Sequence, residues 1–353
     1  MQKINKHIEI VRSNTKGLSS MSQNSCDAIF AVLDKQYTTV RASIVNNLSD
    51  LAAIVTRNPD LVFLGMEFIP QNPSLGLHDP NKIWITTYLD EHDITYTGSS
   101  QASHELERNK PLAKQRVMSA GLKTAEFYVI KQNQALAGHD VPLTFPLFIK
   151  PTNRGGGLGV DSNSVAYNFE QLLSKVSSIS ANLKSDSLIE EYLPGREFSV
   201  AILKEEHSAE FSVMPIELVA PSDKNGDRIL GGKVKSSNTE QVIEVTDEVI
   251  KSKVNTLALD VFYALGARDY GRIDIRLDKH GVPHFLEANL IPSLISGYGS
   301  FPKACMLSIS LGYESMINRI TKLGLDRIPE YIEDFPEAIT GMGVILPSLK
   351  AAV

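Results

Sequence analysis

The sequence predicts an α/β protein with more than one domain. Two observations support this fold class: strands and helices alternate from Ile8 to Gly98, and a second group of strands and helices surrounds a glycine-rich turn. The chain has 353 residues, which is more than one compact domain usually holds. We therefore expect a small parallel sheet followed by further domains of mixed strands and helices.

The first part of the chain alternates short apolar runs with amphipathic stretches. The predicted elements are strands at 8–13, 38–45 and 61–66 and helices at 24–33 and 48–56. Because parallel strands need a crossover between them, this order predicts a parallel sheet covered by helices. The run IWITTYLDEHDITYTGS closes the unit near Gly98.

The rest of the chain predicts two groups of strands, each with helices. In order these are a helix at 103–120, the runs EFYVI, FPLFIKP and GLGVDS, a helix at 168–179, the strands SLIEEYL, EFSVAIL and EFSVMPIELV, a helix at 248–265, a hairpin of GRIDIRL and PHFLEANL, and a helix at 313–323. The tail 325–353 has no clear period and is expected to be an irregular extension.

Composition excludes several classes of protein. The net charge of -6 gives no basic field, so nucleic-acid binding is not expected. Residues 1–14 lack the apolar stretch of a signal peptide, and no apolar run is long enough to span a bilayer; we expect a cytoplasmic location without membrane attachment. Cys26 and Cys305 lack zinc-ligand spacing and are expected to be reduced.

Charged side chains alternate along the predicted hairpin. In GRIDIRL, alternation places Arg272, Asp274 and Arg276 on one strand face, and in HFLEANL it aligns Glu287 with Asn289. Because a tight turn joins the strands, these groups are expected to face one cleft. The opposite side is expected to be apolar, with Ile273, Leu286 and Ala288.

Two carboxylates and an amide oxygen are the hard ligands that suit Mg²⁺, which substrate phosphates usually complete. Arg272 beside them could bind a phosphate or a developing oxyanion. Considered by itself, the hairpin fits a solvated, salt-bridged strand face equally well. The neighbouring motifs favour the metal site.

A glycine-rich segment, FPLFIKPTNRGGGLGVD, follows an apolar strand that ends at Lys150. Gly155, Gly156 and Gly157 would let the backbone approach phosphate oxygens closely. The segment has neither Walker nor Rossmann spacing. It predicts a phosphate-covering loop, with a flexible hairpin as the alternative.

The order of these motifs, together with EEYLPGREFSV between them and FLEANLIPS at the end, resembles the ATP-grasp superfamily, specifically the D-alanine–D-alanine ligase group, from about 98 to 323. The resemblance implies an ATP-grasp fold of three domains, in which an N-terminal parallel β-α-β domain precedes two α+β domains that grip ATP. The implied divisions are an N-terminal domain at 1–100, a central subdomain with the glycine-rich loop at 101–186, a C-terminal subdomain with the metal site at 187–324 and an extension at 325–353.

The resemblance also implies roles for individual residues. The implied ATP-binding residues are Lys110, Lys150 and Lys233 near the phosphates, Gly155, Gly156 and Gly157 in the covering loop, Glu190, Glu191 and Leu193 around adenine, and Glu197 at the ribose hydroxyls. Asp274, Glu287 and Asn289 match the magnesium ligands of the family; two Mg²⁺ ions are expected, with Mn²⁺ as an alternative. Arg272 matches the arginine that steadies the tetrahedral intermediate.

The implied reaction joins a small-molecule carboxylate to an amine through an acyl phosphate, mostly by positioning and electrostatics. It needs no protein nucleophile, and the histidines, His104 among them, lack neighbours that would identify a base. By analogy with the family, a homodimer is expected.

The sequence departs from the family where the first substrate binds. The family's glutamate, serine and tyrosine match Ser20, Gly156 and Val234, a first-domain loop is replaced by GMEFIPQNPSLGLHDP, and Ser293 follows Pro292 where the family has glycine. We therefore expect a first substrate other than D-alanine, with Ser293 near it. The alternatives are a genuine D-alanine–D-alanine ligase, a non-catalytic nucleotide-binding relative, and phosphoryl transfer without ligation.

Overall fold

The computed structural model describes residues 2–15, 17–134 and 141–327. The expected extension at 325–353 therefore lies outside the described residues from 328 onward. Within the described ranges, no helix is both long and apolar enough to cross a membrane.

The N-terminal part contains the predicted parallel sheet. Its elements are β1 Ile4–Arg12, α1 Gln23–Leu33, β2 Tyr37–Ile44, α2 Leu48–Arg57, β3 Leu61–Leu64, β4 Phe68–Pro70, a 3₁₀ helix Pro73–His78, β5 Lys82–Trp84 and α3 Ile85–Asp90. The strands lie in the order β2-β1-β3 and pair in parallel. Ser22 and Asn47 cap the two crossover helices by accepting from backbone amides. The predicted β-α-β-α-β order is confirmed.

The central part forms an antiparallel sheet. Its elements are α4 Gln101–Arg108, α5 Lys110–Ser119, β6 Phe127–Ile130, β7 Leu147–Pro151, a 3₁₀ helix Ser162–Ser164, β8 Val165–Ala166, α6 Phe169–Leu183 and β9 Ser187–Glu191. The strand order is β6-β9-β7-β8.

Two predictions for this part were wrong in detail. The helix predicted at 103–120 is broken at Asn109, whose side chain caps α5 ahead of Pro111, a residue without an amide hydrogen to donate. The run GLGVDS is not a strand: Asp161 caps the 3₁₀ helix instead, and the strand follows at Val165.

The C-terminal part contains a larger antiparallel sheet in the order β12-β11-β10-β13-β14. Its elements are β10 Glu197–Lys204, β11 Phe211–Val219, α7 Gly232–Ser237, β12 Gln241–Glu244, α8 Glu248–Ala264, β13 Tyr270–Leu277, β14 Pro283–Asn289, α9 Ser300–Ile309 and α10 Tyr313–Leu325. The predicted hairpin and the predicted helices at 248–265 and 313–323 are confirmed. The sequence did not reveal α7, β12 or α9.

One hydrophobic core joins the N-terminal and C-terminal parts. Phe63 on β3 belongs to the same buried cluster as Met214, Phe301 and Ile317. Helix α10 packs against β3 and α1. The two sheets are therefore held together by apolar burial, and the hairpin β13-β14 is fixed relative to the N-terminal part.

Candidate active site

The charged residues of the β13-β14 hairpin have the alignment that the sequence predicts. Arg272 lies opposite Asn289 and Asp274 lies opposite Glu287. Ile273 and Ala288 form the intervening pair and are buried. Strand alternation therefore separates a polar face from an apolar one.

Leu286 corrects the prediction for the apolar side. Asp274 pairs with Glu287 but Ile275 pairs with Phe285, so Leu286 is the extra residue of a β-bulge. The bulge re-aims this side chain. Leu286 consequently lines the cleft described below, whereas Phe285 is fully buried.

Asp274 is the most tightly held carboxylate of the hairpin. Arg272 donates from Nε and Nη2 to its two oxygens at 3.0 and 3.0 Å, and the Ser199 hydroxyl donates to Oδ1 at 2.8 Å. The amide nitrogen of Asn289 lies 3.3 Å from Oδ2. Together with Glu287 across the strand pair, this set of oxygens fits a hard cation such as Mg²⁺.

Glu287 lies among cations. Lys110 Nζ is 3.4 Å from its Oε2 and also donates to the Arg154 carbonyl at 2.6 Å. Burial would raise the pKa of Glu287, but nearby cations, with Lys110 first and then Lys150, lower it to about 2. The carboxylate is thus ionised and available as an oxygen ligand.

A buried ion triad lies beside this group. Glu190 on β9 is 2.8 Å from Lys150 Nζ and 2.5 Å from Lys114 Nζ. Burial lowers the pKa of Lys114 to about 8, although Glu190 opposes the shift. Sequence analysis missed Lys114; its position four residues after Lys110, on one face of α5, was the available signal.

These residues border a cleft of about 800 Å³, counting the space that opens to solvent. The predicted site residues that line it are Lys110, Lys150, Gly157, Glu190, Glu191, Leu193, Glu197, Asp274 and Glu287. Apolar side chains from other segments complete the wall, among them Phe148, Ile229 and Leu230. Arg272 and Asn289 lie beside the cleft through their contacts with Asp274.

Gly157 is where the glycine-rich loop contacts α7. It has φ 75°, its carbonyl accepts from the Gly232 amide at 3.1 Å, and a Cβ here would lie 2.8 Å from that same nitrogen. A side chain at this position would therefore push the two segments apart. Gly155 and Gly156 are exposed on the preceding turn and do not line the cleft.

Lys235 lines the cleft, whereas Lys233, which the resemblance implies near the phosphates, does not. Lys233 is exposed on α7, whereas Lys235 is half-buried and lines the cleft wall. Residues two apart on a helix point to different sides, so only one of the pair can reach the site. The helix itself was not predicted.

Glu197 lies on β10, the strand next to the hairpin in the same sheet, and pairs with Arg276. Burial raises the pKa of this carboxyl, while Arg276 and Lys235 oppose the shift. Ser293 lies half-buried in the loop after β14.

An acidic and histidine cluster next to the hairpin was also missed. His104 is fully buried, and its Nδ1 is 3.1 Å from Glu107, which accepts from the Leu290 amide at 2.9 Å. Glu67 pairs with Arg108 at 3.2 Å in the same cluster. Sequence analysis did not find this contact of His104, although the spacing of three residues to Glu107 on α4 was a signal for it.

The cleft lies between helix α5 and two antiparallel sheets, and a glycine-rich loop, buried lysines and an Asp-Glu-Asn set with an adjacent arginine surround it. These features are typical of the ATP-grasp class of nucleotide-dependent enzymes. The family model described as D-ala D-ala ligase C-terminus matches residues 117–322, more than half of the chain. The chain belongs to the D-alanine–D-alanine ligase family, whose members are ATP-dependent ligases that form C–N bonds and use Mg²⁺.

Individual relatives agree with this placement. The D-alanine–D-alanine ligase of Glaesserella parasuis is 30% identical over 239 residues, which cover 67% of this chain and 74% of the relative. An uncharacterized protein of Sinorhizobium fredii, y4sG, is 29% identical and covers 67% and 68%. The D-alanine–D-alanine ligase from Bacillus anthracis, solved with ATP, superposes with a TM-score of 0.69 at 21% identity, covering 91% of this chain and 97% of that one. The last likeness confirms the expected ATP-grasp fold.

Proposed function

We propose that this protein is an ATP- and Mg²⁺-dependent ligase that joins a small-molecule carboxylate to an amine through an acyl phosphate. The observation that carries the proposal is the bidentate pair of Arg272 and Asp274, which lies opposite Glu287 at the edge of a cleft lined by lysines. The pair places the Arg272 guanidinium beside carboxylate oxygens that can bind a metal ion. Transfer of a phosphoryl group to a carboxylate requires such an arrangement.

In the proposed reaction, a carboxylate oxygen of the first substrate attacks the terminal phosphorus of ATP and ADP leaves. The amine nitrogen of the second substrate then attacks the acyl carbon, and phosphate leaves as the amide forms and the nitrogen loses its proton. Arg272 would donate to the oxyanion of that step. Lys110 and Lys150 would bind the phosphates.

Asp274, Glu287 and Asn289 would hold Mg²⁺, which neutralises phosphate charge when bound. We propose that two Mg²⁺ ions bind, and that Mn²⁺ can replace them. Chelation is expected to stop turnover, and metal titration of the turnover rate measures how many ions are needed.

The first substrate is proposed to differ from D-alanine. A carboxylate that would bind its ammonium group is replaced by Ser20, which is exposed and whose amide bonds to the Gly65 carbonyl at 3.1 Å. Gly156 and Val234 likewise offer no ionisable group. Ser293, in the loop after the last proposed metal ligand, is the candidate substrate contact.

The test is incubation with ATP, Mg²⁺ and pairs of amino acids, with ADP and phosphate release measured beside the mass of any new amide. We expect amide formation with a carboxylate other than D-alanine. Efficient D-alanyl-D-alanine formation would instead favour the activity for which the relatives are named, keeping the ligase chemistry and rejecting the substrate.

Two other results would replace the ligase proposal. An acyl phosphate or phosphoester as the final product would select phosphoryl transfer without ligation. ATP binding without turnover for any pair would select a nucleotide-binding relative. A homodimer and a cytoplasmic location complete the proposal, and light scattering and cell fractionation test them.

A further inference from the structure

Arg276 joins three segments at the part of the cleft where the family resemblance implies the nucleoside. Its Nη1 is 2.8 Å from Glu197 Oε2, its Nη2 donates to the Arg228 carbonyl at 3.0 Å, and its guanidinium lies 5.6 Å from the ring centroid of Tyr192. Glu197 and Arg276 are directly opposite each other on β10 and β13. The arginine therefore fixes the carboxylate relative to the segment that follows β9.

The ion pair itself lines the cleft. Arg276, Glu197 and Tyr192 all border the space, together with Glu191 and Leu193. The Arg276 and Glu197 side chains are only 9% and 15% exposed. A carboxylate so held presents its remaining acceptor capacity to a ligand in the cleft with little conformational entropy left to lose.

Stability does not explain this pair. Replacing a buried ion pair by apolar side chains is often neutral or stabilising. Burial of the Arg276 side chain costs additional free energy because its Nε is buried and has no hydrogen-bond partner among the described residues. Apolar side chains at both positions would avoid that cost, whereas removing Arg276 alone would leave the Glu197 carboxylate buried without its partner.

We infer that Arg276 is a positioning residue for nucleotide selection: it holds Glu197 where the carboxylate accepts from both hydroxyls of a ribose, so that the cleft prefers ribonucleotides to 2′-deoxyribonucleotides. This inference rests on the proposed use of ATP. It adds a selectivity role that the phosphate and metal residues do not supply, since those groups contact parts common to both nucleotides.

The experiment compares direct binding of ATP and 2′-deoxy-ATP to the full-length wild type and to Arg276→Met, beside thermal unfolding. We expect Arg276→Met to lower the melting temperature, because Glu197 then stays buried without its partner, and the ATP preference of the folded variant to fall about tenfold, the size of a hydrogen bond to a charged group. An unchanged preference would overturn the inference. Wild type that binds ATP without any ribose preference would overturn it too, while leaving the proposed ligase function intact.

Two further variants separate positioning from direct contact. Arg276→Lys retains the charge and should recover part of the preference, and it also serves if the methionine variant folds poorly. Glu197→Gln should lose the preference as Arg276→Met does, and the double variant should lose little more, because one residue acts through the other. Additive losses would mean that Arg276 contacts the nucleotide itself and would reject the positioning role.

The matched control is Arg196→Met. Arg196 forms a similar two-point pair with Glu217, at 3.0 and 2.7 Å, next to Glu197 in sequence, but its side chain is 40% exposed and does not line the cleft. The Arg196→Met variant should prefer ATP to 2′-deoxy-ATP as strongly as the wild type does. A loss there as large as in Arg276→Met would assign the effect to β10 in general and overturn the inference.

Discussion

The two ends of the candidate active site differ in charge and in burial. At one end, Lys114 and Lys150 are buried, and each lies within ion-pair distance of the buried Glu190. At the end where the first substrate is proposed to lie, Ser20 is exposed and Val234 is a half-buried apolar residue on α7. One end is a fixed set of charges, and the other is formed by uncharged residues in loops and a short helix.

This difference follows from what each end must do. Buried charges cost free energy unless partners satisfy them, so a chain retains them where the reaction uses charge. Specificity for a small substrate depends on pocket shape and a few polar groups, which loops can change without loss of the fold. A few residues are therefore enough to indicate the class of reaction, but they do not identify the substrate.

The largest expected effect is at Arg272, which is paired with Asp274 beside the cleft. Arg272→Ala should lower kcat by about a hundredfold to a thousandfold, the loss typical of removing one oxyanion donor. ATP affinity should change little, because the lysines that are proposed to bind the phosphates remain. Turnover and nucleotide binding measured on the same preparation test this, with Arg196→Ala as control. Unchanged turnover would remove Arg272 from the mechanism.

The next effect concerns stability at acid pH. The folded pKa of Glu287, about 2, lies below its unfolded value of 4.5, so its contribution is present above pH 4.5 and is lost as the pH falls towards 2. The shift corresponds to about 3 kcal/mol. In chelator, the difference in unfolding free energy between wild type and Glu287→Gln should shrink over that range in denaturant titrations. A difference independent of pH would mean that the cations do not hold this carboxylate.

The residues at the two ends were not equally predictable from sequence. Asp274 and Glu287 follow from the period of two along a strand, which a tight turn converts into a facing pair. Leu286 did not follow, because a bulge shifts the register at one position that no local pattern marks. Lys114 comes to Glu190 from a different element, and such long-range contacts are set by the packing of α5 against the sheets.

The rest of the fold shows the same limit. The break at Asn109 had a readable cause in the following Pro111, yet the apolar period runs across it. Helix α7 is six residues long, and its assignment decides whether Lys233 or Lys235 reaches the cleft. Short elements depend on tertiary contacts more than on propensity, which is why the sequence did not show that Lys235 is the α7 lysine that lines the cleft.

The two lysines of α7 test, with an intermediate expected effect, whether Lys235 or Lys233 contributes to ATP use. Lys235→Met should weaken ATP use about tenfold or more in kcat/KM, because a cation that faces the cleft would be lost. Lys233→Met, on the exposed side of the same short helix, should stay within about twofold. The two variants share helix, residue type and substitution, so each controls for the other. Equal losses would show that α7 positions neither lysine selectively.

The smallest expected effect is at Ser20. Its hydroxyl is exposed and 3.3 Å from the Gly65 carbonyl, whereas the half-buried Ser19 hydroxyl donates to the same oxygen at 2.7 Å. Ser20→Ala should therefore change the free energy of unfolding by no more than about 0.5 kcal/mol and kcat/KM for the substrate found by screening by about twofold. Ser19→Ala should cost about 1 kcal/mol of stability, as the loss of a real hydrogen bond does. Unfolding and steady-state kinetics on both variants decide the point: a tenfold loss of kcat/KM in Ser20→Ala with stability retained would mean that this hydroxyl binds the substrate directly. Both ends of the cleft would then bind their ligands through fixed polar contacts. They would differ only in the type of polar group, which is charged at one end and a hydroxyl at the other.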